Sequence, residues 1–289
     1  MNYRHQFHAG NFADVMKHVL LVQLVKAMQR KEKGFLYLDT HAGRGSYDLA
    51  AAARGDTLAR QPEWPAGIGR LWSRPAPTEA IGEYLALVRD FDRQQGSRDE
   101  VPRFYPGSPA LVRLRLRPQD RMVVCERQPD ECSALRAEMA RTPGCLVQGM
   151  DGYTGLRAAL PPKEKRALVL VDPPFEGQTE FADLVCAVQD GLKRLPGGTY
   201  AIWYPLTERA RLEVFFGQLA ALDLPPTAVL ELAVAGDASE LKMRGCGLVV
   251  LNPPWQWEAI AKPSLLALAE ILRQGEGACG SWQWLVPER

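Results

Sequence analysis

The sequence predicts an α/β fold of the Rossmann type, with a mostly parallel sheet, a terminal antiparallel hairpin and a small inserted helical subdomain. Short apolar runs with the length and β-branched content of buried strands alternate with helical stretches. Two of these runs end abruptly, one at Asp39 before a glycine-containing turn and one at Asp172 before two prolines. Because ligands of open α/β sheets bind at the carboxyl ends of the strands, both ends are candidate site positions.

The composition limits the class of protein. The 289 residues are 46% hydrophobic and 24% charged, which predicts one large domain or one domain with an insertion. The net charge of +1 gives no global field, so contact with nucleic acid would have to come from a local patch. The six cysteines form no C-x-x-C pair and are typical of reduced core residues. With no apolar signal segment and no membrane-spanning run, we expect a cytoplasmic protein and, by default, a monomer.

The first ten residues combine aromatic and basic side chains, Tyr3 and Arg4 among them, without an amphipathic pattern. Such an arm is either solvated or in contact with a polyanion's phosphate and a ligand's carboxylate. We favour the second interpretation because of the loop at 40–45 described below. A metal site at His5 and His8 is a weaker alternative, since no carboxylate or cysteine stands at ligand spacing from them.

A helix is predicted from Asn11, a favourable N-cap residue, to about Gln29. Apolar residues at helical spacing form one stripe along it. Lys17 and His18 lie beside that stripe and are candidates for contact with a charged ligand.

The apolar strand at 34–39 runs directly into residues 40–45, which include His41 and Gly43. Glycine lets the backbone turn tightly and approach a ligand. The form D-x-x-A-G-x-G is shorter than the dinucleotide fingerprint G-x-G-x-x-G and lacks its third glycine, which disfavours a nicotinamide-dependent oxidoreductase. The form is instead typical of a loop that binds S-adenosylmethionine.

Residues 48–103 interrupt the alternation of strands and helices with several prolines, a helical piece near 78–92 and a polar linker. We interpret them as an inserted subdomain, so that 1–47 and 104–289 form the main domain, with 1–30 as its N-terminal motif and helix. Just after the insertion, Ser108 is predicted to cap a helix at 109–116. The arginines at 113, 115 and 117 are more typical of a solvated helix face than of an RNA patch, although they stay candidates for RNA contact.

Two more predicted strands end in acidic residues. Glu126 ends the strand that begins at Arg121, and Asp151 follows the strand at 145–148. A carboxylate at the end of the second strand of a nucleotide-binding half accepts hydrogen bonds from both ribose hydroxyls, so Glu126 is the candidate ribose ligand. Asp151 is placed to accept from an adenine amine while the amide of Gly152 donates to the ring.

The strand at 167–171 ends at Asp172-Pro173-Pro174-Phe175, since proline cannot donate to a central ladder. The amino group of adenine is a poor nucleophile because its lone pair is delocalised into the ring. Asp172 and the carbonyl of Pro173 could each accept one N–H hydrogen bond and so localise the lone pair, while Phe175 offers a ring for stacking. The tetrapeptide is similar to the [DNS]-P-P-[FYW] motif of amino-methyltransferases. The plainer interpretation is a strand that ends in a turn.

A second match to the same pattern occurs at Asn252-Pro253-Pro254-Trp255. Residue type alone cannot choose between the two. If the last two strands form a hairpin, the final strand is antiparallel to the rest, and its carboxyl end lies at the opposite edge of the sheet. We therefore expect Asn252 to be structural.

Together these motifs resemble the bacterial 23S ribosomal RNA adenine-N6-methyltransferase family RlmJ. The resemblance spans essentially the whole chain and is carried by YRHQFHAGNFADVMKH (3–18), FLYLDTHAGRGSY (35–47), YPGSP (105–109), DPPF (172–175), GTYAIWYP (198–205) and NPPW (252–255). It implies a Rossmann-type methyltransferase fold and methylation of one adenine, at position 2030 of 23S rRNA, on protein-free RNA. Two departures are visible: Arg44 follows the glycine where a smaller residue is expected, and Phe175 stands where Tyr is common.

The resemblance also implies the site residues. S-adenosylmethionine would contact His18, His41, Ser108, Glu126, Asp151 and Gly152, with Lys17 and Gly43 nearby. Asp172 would be the catalytic acceptor, and Tyr3 would lie near the RNA and the cofactor. Arg4, by its charge, and Pro173 and Phe175, by the chemistry of the turn, are our further candidates for RNA contact. No metal is implied. The flipped adenine would stack on Phe175 and attack the methyl group in line. A DNA adenine-N6-methyltransferase and a non-catalytic nucleic-acid-binding protein are the alternatives.

Overall fold

The structure is a computed structural model that describes residues 5–52, 61–206 and 208–288. Within these residues ten strands are found. They are β1 (Leu36–Asp39), β2 (Ser46–Asp48), β3 (Phe104–Pro106), β4 (Arg121–Cys125), β5 (Cys145–Gln148), β6 (Ala167–Val171), β7 (Thr199–Pro205), β8 (Thr227–Ala233), β9 (Gly245–Leu251) and β10 (Cys279–Val286). The predicted strands at 145–148, 167–171 and 199–205 have these same bounds.

Eight of the described strands form one sheet in the order β10-β8-β9-β7-β6-β1-β4-β5. The strands from β5 to β7 in this order are parallel, whereas β9 is antiparallel to both β7 and β8. The predicted mostly parallel sheet with a terminal antiparallel hairpin is therefore confirmed. Strand β10, which pairs antiparallel with β8 at the edge, was not predicted. Because β1 lies between β4 and β6, the carboxyl ends of these central strands meet at one edge of the sheet.

The helices cover both faces of the sheet. They are α1 (Phe12–Met28), α2 (Leu49–Ala52), α3 (Ile68–Trp72), α4 (Glu79–Gln94), α5 (Ser108–Arg113), α6 (Pro129–Met139), α7 (Gly152–Ala159), α8 (Glu180–Arg194), α9 (Arg209–Ala220) and α10 (Trp257–Ile271), with short 3-10 helices at His5–Phe7 and Trp64–Ala66. One apolar cluster joins α1, α4, α5, α6 and α10 to the sheet, and a second joins α7, α8 and α9 to the other face. Adjacent residues of β1 alternate between them: Tyr37 belongs to the first cluster, and Leu36 and Leu38 belong to the second.

Helix α1 is buried on all sides, not along one stripe. Asn11 caps it as predicted, its side chain accepting from the amides of Ala13 and Asp14. Every residue of the helix except Lys26 is buried, because α4 of the inserted segment and α10 cover the surface that the sheet leaves open. The prediction of a single apolar stripe underestimated this burial, because the segments that cover the helix are distant in the sequence.

The inserted segment leaves the main fold through a two-stranded ribbon. Strand β2 pairs antiparallel with β3, with Ser46 opposite Pro106 and Asp48 opposite Phe104. The chain between them returns to the core through α4, whose N-cap Thr78 accepts from the amide of Ile81. The predicted division into domains at 48–103 stays a prediction, although the ribbon lies where that segment begins and ends.

The second Pro-Pro motif lies at the opposite edge of the sheet from the first, as predicted. Leu251 pairs with Tyr200 at the beginning of β7, so residues 252–255 follow the reversed end of β9. The Asn252 amide donates to the carbonyls of Pro196 and Gly198, each at 2.8 Å. These bonds hold the turn before β7 and give Asn252 a structural role.

Two of the arginines at 113–117 make structural contacts. Arg113 pairs with Glu138 at 3.0 Å. Arg117 pairs with Asp120 at 2.9 Å and donates to the carbonyls of Gln29 and Lys31, just beyond the end of α1. Their side chains are thus engaged within the fold, which makes this segment a poor candidate for RNA contact.

Candidate active site

One open cleft of about 1730 Å³ lies at the carboxyl edge of the parallel strands. Every predicted site residue that the structure describes lines it. They are Lys17, His18, His41, Gly43, Ser108, Glu126, Asp151, Gly152, Asp172, Pro173 and Phe175. The remaining two, Tyr3 and Arg4, lie outside the described residues. The cleft is larger than the 300–1,000 Å³ typical of a single small-molecule pocket, so it has room for two ligands side by side.

The carboxylate of Asp172 is held by a buried cation. Lys17 Nζ lies 2.5 Å from Asp172 Oδ2 and 2.8 Å from Asp14 Oδ1. Burial opposes the charge of Lys17, but the two carboxylates outweigh it and raise the lysine pKa well above its ordinary value. The sequence analysis grouped Lys17 with the cofactor residues and did not foresee its contact with Asp172. Asp14, which also accepts from the amide of Gly10, was missed.

Aromatic rings stand beside this carboxylate. Phe175 has a φ of 50°, in the left-handed region, which turns its side chain sharply from the strand. Its ring centroid lies 4.9 Å from that of Phe181 and 5.7 Å from that of Trp203. Trp203 lines the cleft at the end of β7, and its position in the predicted fifth strand was the signal that could have identified it. Together these rings form an aromatic wall next to Asp172.

The glycine loop and Glu126 are joined by hydrogen bonds. Gly43, at a φ of 59°, donates its amide to Glu126 Oε2 at 2.9 Å, and the amide of Gln128 donates to Oε1 at 2.7 Å. Burial raises the pKa of Glu126, partly offset by these amides. Each carboxylate oxygen can accept two hydrogen bonds, so both retain capacity for a ligand hydroxyl.

Arg44, the first departure from the family pattern, turns toward α6. Its Nη2 and Nε lie 2.6 Å and 2.9 Å from the two carboxylate oxygens of Glu131. This bidentate pair anchors the glycine loop to the helix that follows Glu126. The larger side chain is thereby accommodated beside the cleft.

Asp39 anchors the end of β1 and was not singled out as a site residue. Its Oδ2 accepts from Ser108 Oγ at 2.6 Å and from the Tyr37 hydroxyl at 2.8 Å. Burial raises the pKa of Asp39 to about 6, although these hydrogen bonds work in the opposite direction. The prediction that Ser108 caps α5 is wrong: Gly107 is the N-cap residue, and the Ser108 hydroxyl is directed to Asp39. The predicted contact of Ser108 with the cofactor stays a prediction.

His41 sits in the cleft as a neutral ring. Burial lowers its pKa to about 4, against the opposing effect of Asp172 and Asp151. Its Nδ1 lies 2.8 Å from Thr40 Oγ1, and its ring meets Tyr153 edge-on at 5.3 Å. At neutral pH the ring therefore offers a polar contact without positive charge.

The third strand end packs tightly on the first. Asp151 caps α7 by accepting from the amide of Thr154 at 2.8 Å. A Cβ added at Gly152 would come 2.0 Å from the carbonyl oxygen of Thr40, so only glycine allows this approach. The position was predicted for its amide, and the structure adds a packing reason for the residue type.

His18 lies at the inner wall of the cleft and is 1% exposed. Its Nδ1 lies 2.8 Å from the Tyr105 hydroxyl, and the two rings are stacked with their centroids 5.6 Å apart. Tyr105 in turn bonds to Tyr84 of the inserted segment at 2.9 Å. Both tyrosines were missed.

No group of three or more histidine, cysteine, aspartate or glutamate side chains at metal-binding geometry occurs in the described part of the chain. His8, one half of the alternative metal pair, contacts Glu63 at 2.9 Å. In the same residues, no helix has the length and apolar character needed to cross a membrane.

Comparison with known proteins agrees with this geometry. The sequence model of the family described as "Ribosomal RNA large subunit methyltransferase D, RlmJ" matches residues 32–286. The chain belongs to the RlmJ family. Two relatives named ribosomal RNA large subunit methyltransferase J are similar over 100% of both chains, with 39% identity in Haemophilus influenzae and 37% in Escherichia coli K12.

The crystal structure of a Legionella pneumophila protein has the same fold as this RlmJ family member. Its TM-score is 0.83 at 31% identity, and the match covers 96% of this chain and 97% of the other. The similarity therefore extends through the inserted segment as well as the sheet, and the expected Rossmann-like methyltransferase fold is confirmed.

Proposed function

We propose that this RlmJ family member transfers a methyl group from S-adenosylmethionine to N6 of a single adenine in 23S rRNA. The observation that carries the proposal is the position of Asp172-Pro173-Pro174-Phe175 at the end of β6, in one cleft with the glycine loop and Glu126. The target position, 2030, and the preference for protein-free RNA in the cytoplasm rest on the resemblance to the family. The relatives from H. influenzae and E. coli, named as large-subunit rRNA methyltransferases, support the substrate class.

The residues at the ends of β1, β4 and β5 fit S-adenosylmethionine. Glu126 is held by two backbone amides and retains acceptor capacity for both ribose hydroxyls. Asp151, with one oxygen on the helix cap, keeps the other for the adenine amine. Neutral His41 and buried His18 stand where the methionine end would lie. When bound, the cofactor supplies an electrophilic methyl group on a positively charged sulfur.

The target adenine would occupy the other half of the cleft, against Phe175 and Trp203. Lys17 binds Oδ2 of Asp172, and no described group donates to Oδ1, so Oδ1 is the oxygen for the N6 amine. The Pro173 carbonyl would accept the second N–H bond. The cation binds Oδ2 and does not block the oxygen that the amine needs.

The protein contributes orientation and electrostatics to the methyl transfer. With both N–H bonds directed into acceptors, the lone pair of N6 would point toward the methyl group that the cofactor supplies. Attack leaves one surplus proton on N6, and Asp172 is the nearest base for it. Because the amine of a stacked base is out of reach, the adenine must leave its helix to enter the cleft.

Two exposed cations on the rim are better placed for RNA contact than Arg113 or Arg117. Arg211 of α9 and Lys242 of the β8–β9 loop line the same cleft as Trp203. Neither side chain has a hydrogen bond or ion pair to another described residue. We therefore assign them to phosphates that flank the flipped adenine.

The test is methyl transfer from labelled S-adenosylmethionine to unmodified 23S rRNA, with digestion of the product to nucleosides. We expect N6-methyladenosine at one site, more product on protein-free RNA than on assembled subunits, and none with Asp172→Asn. The matched control is Asn252→Ala, which changes the second Pro-Pro motif and should retain transfer once folding is verified. Transfer to DNA instead of RNA would overturn the substrate, and transfer to neither would overturn the enzymatic function.

A further inference from the structure

The edge of the sheet opposite the cleft is strongly basic. The segments that precede β1, β6 and β7, at 30–34, 163–166 and 193–198, all lie there, because these strands are parallel. Together they contain eight cations, which are Arg30, Lys31, Lys33, Lys163, Lys165, Arg166, Lys193 and Arg194. They contain two acids, of which Glu164 is paired with Arg121 at 2.6 Å. The net charge of the whole chain is only +1, so its positive charge is concentrated at this edge.

Hydrogen bonds to the backbone hold two of these segments together. Arg166, just before β6, donates to the carbonyl of Met28 at 2.7 Å and to the carbonyl of Lys33. It therefore joins the segment before β6 to the segment before β1. Burial and the nearby Arg117 guanidinium lower the pKa of Arg166, as expected where positive charges are crowded. The cations of the two segments thus form one surface.

Three lysines of this surface are available to a partner. Lys31, Lys33 and Lys165 are exposed, and their ammonium groups have no hydrogen bond or ion pair to another described residue. A cluster of like charges without counter-charges repels itself and attracts a polyanion. The charge of this surface therefore favours a partner with closely spaced negative groups, such as the phosphates of a nucleic acid.

An exposed tryptophan borders the basic segments. Trp255 is 71% exposed, and its carbonyl accepts from Arg30 Nη1 at 2.9 Å. It belongs to the turn in which Asn252 bonds to the segment at 193–198. Asp223, an exposed acid, precedes β8 on the other side of that turn and is separated by it from the basic segments. An aromatic ring beside cations is the arrangement that binds unpaired nucleotides, since the base stacks on the ring while the phosphates contact the cations.

We propose that Trp255 and the cations of segments 30–34 and 163–166 form a second RNA-binding surface, which holds an unpaired segment of the rRNA substrate. The five residues of β6 separate this surface from Asp172 by about 17 Å. The surface therefore contributes to RNA affinity and does not touch the reacting groups. The identity of the partner as rRNA rests on the proposed function, whereas the basic charge and the exposed ring do not.

Binding of unmodified 23S rRNA at several salt concentrations tests the cations. When Lys31, Lys33 and Lys165 are all replaced by Gln, the slope of log K against log salt should fall by about two, the change for three lost contacts to single-stranded phosphates. The loss should appear in KM for rRNA and not in kcat. The matched control replaces the same three lysines by Arg, which keeps the charge and should keep the slope. An unchanged slope in the Gln variant, or an equal fall in the Arg variant, would overturn the proposal.

Substitution of Trp255 tests the stacking. Trp255→Leu should lower the affinity for rRNA about tenfold, the scale for one stacked base, whereas Trp255→Phe keeps a ring and should retain most of the affinity. Unchanged affinity in Trp255→Leu would overturn the assignment to unpaired RNA. If the unaltered protein binds rRNA with the expected slopes but transfers no methyl group to it, the proposed function is wrong and this surface stands. Methyl transfer to rRNA with equal slopes in all variants would give the reverse conclusion.

Discussion

Lys17 of α1 and Asp172 at the end of β6 form an ion pair at 2.5 Å across 155 residues of sequence. Asp14 completes a buried group of two carboxylates around one ammonium, with side chains only 4% and 6% exposed for Asp14 and Lys17. The pair connects the N-terminal helix to the proposed catalytic acceptor. The group of three contains two acids and one base, which suits a site that must accept hydrogen bonds from an amine.

Replacing Lys17 should impair both chemistry and stability. Lys17→Met leaves Asp14 and Asp172 without their cation, which we expect to cost about 3 kcal/mol in the free energy of unfolding. The loss of the cation also removes the group that holds Asp172 Oδ2 in place, so kcat should fall. The control is Lys26→Met, which removes a lysine of the same helix that pairs with Glu79 outside the cleft. A kcat that stays unchanged in Lys17→Met would contradict the role of Lys17.

Substitution of Phe175 should affect RNA turnover without affecting cofactor binding, because we assign the two ligands to different halves of the cleft. Base–aromatic stacking contributes about 1–3 kcal/mol per base, so Phe175→Leu should lower kcat/KM for RNA by about ten- to hundredfold. The affinity for S-adenosylmethionine, measured by calorimetry, should change little. Phe216→Leu is the control, because Phe216 packs on Tyr204 away from Asp172. Equal losses of RNA turnover in both variants would indicate a packing effect only.

Neutral His41 should contribute to acid sensitivity. Its pKa is about 4 in the folded protein and near 6.5 when unfolded, so the unfolded state binds its proton first as the pH falls. Stability is therefore complete above pH 6.5 and is lost between 6.5 and 4. Because the ring opens on the cleft, we expect about 2 kcal/mol in total.

His41→Gln should flatten the dependence of Tm on pH across this window. Asp39 acts in the opposite sense: its pKa of about 6 lies above the unfolded value, so its contribution is present below pH 4 and is lost as the pH rises through 6. Because Asp39 is present in both, comparing the unaltered protein with His41→Gln gives the contribution of His41 alone. An unchanged slope would show that folding does not lower the pKa of His41.

The assignment of the cleft rim to RNA can be tested with two arginines of α9 that lie within one helical turn of each other. Arg211 lines the cleft, whereas Arg209 is 93% exposed and pairs with Glu213. Arg211→Gln should weaken RNA binding and reduce the slope of log K against log salt by about one, the change for one lost phosphate contact. Arg209→Gln should leave the slope unchanged. Equal slopes in the two variants would remove Arg211 from the RNA surface.

Local rules of strand termination were sufficient to predict much of the site. Asp172, Glu126 and Asp151 each follow an apolar run, and the carboxyl ends of parallel strands all lie at the same edge of the sheet. The bounds of β5, β6 and β7 follow from the same signals. The motif at Asn252 could be distinguished from the one at Asp172 because a hairpin reverses the strand direction.

The remaining features depend on contacts between distant segments. Neither the Lys17–Asp172 pair nor the chain from Tyr84 to His18 has a local pattern, since each joins helices to strands through the tertiary packing. Ser108 was given a cap role because serine before proline is typical of a helix start. The buried carboxylate of Asp39 accepts its hydroxyl instead. Strand β10 was missed because its residues alternate between exposed and partly buried at the edge of the sheet and form no buried apolar run.

The burial of α1 also determines when the fold can be completed during synthesis. Helix α1 is synthesised before the sheet, yet part of its outer surface is covered by α10, which follows β9 in the chain. Until α10 emerges, the apolar residues of α1 on that side have no partner, and exposed apolar surface of this kind favours aggregation. Lys17, which pairs with Asp172, lies on that helix. Complete burial of α1 therefore waits for the synthesis of α10, and a chain interrupted before α10 would expose apolar side chains of α1.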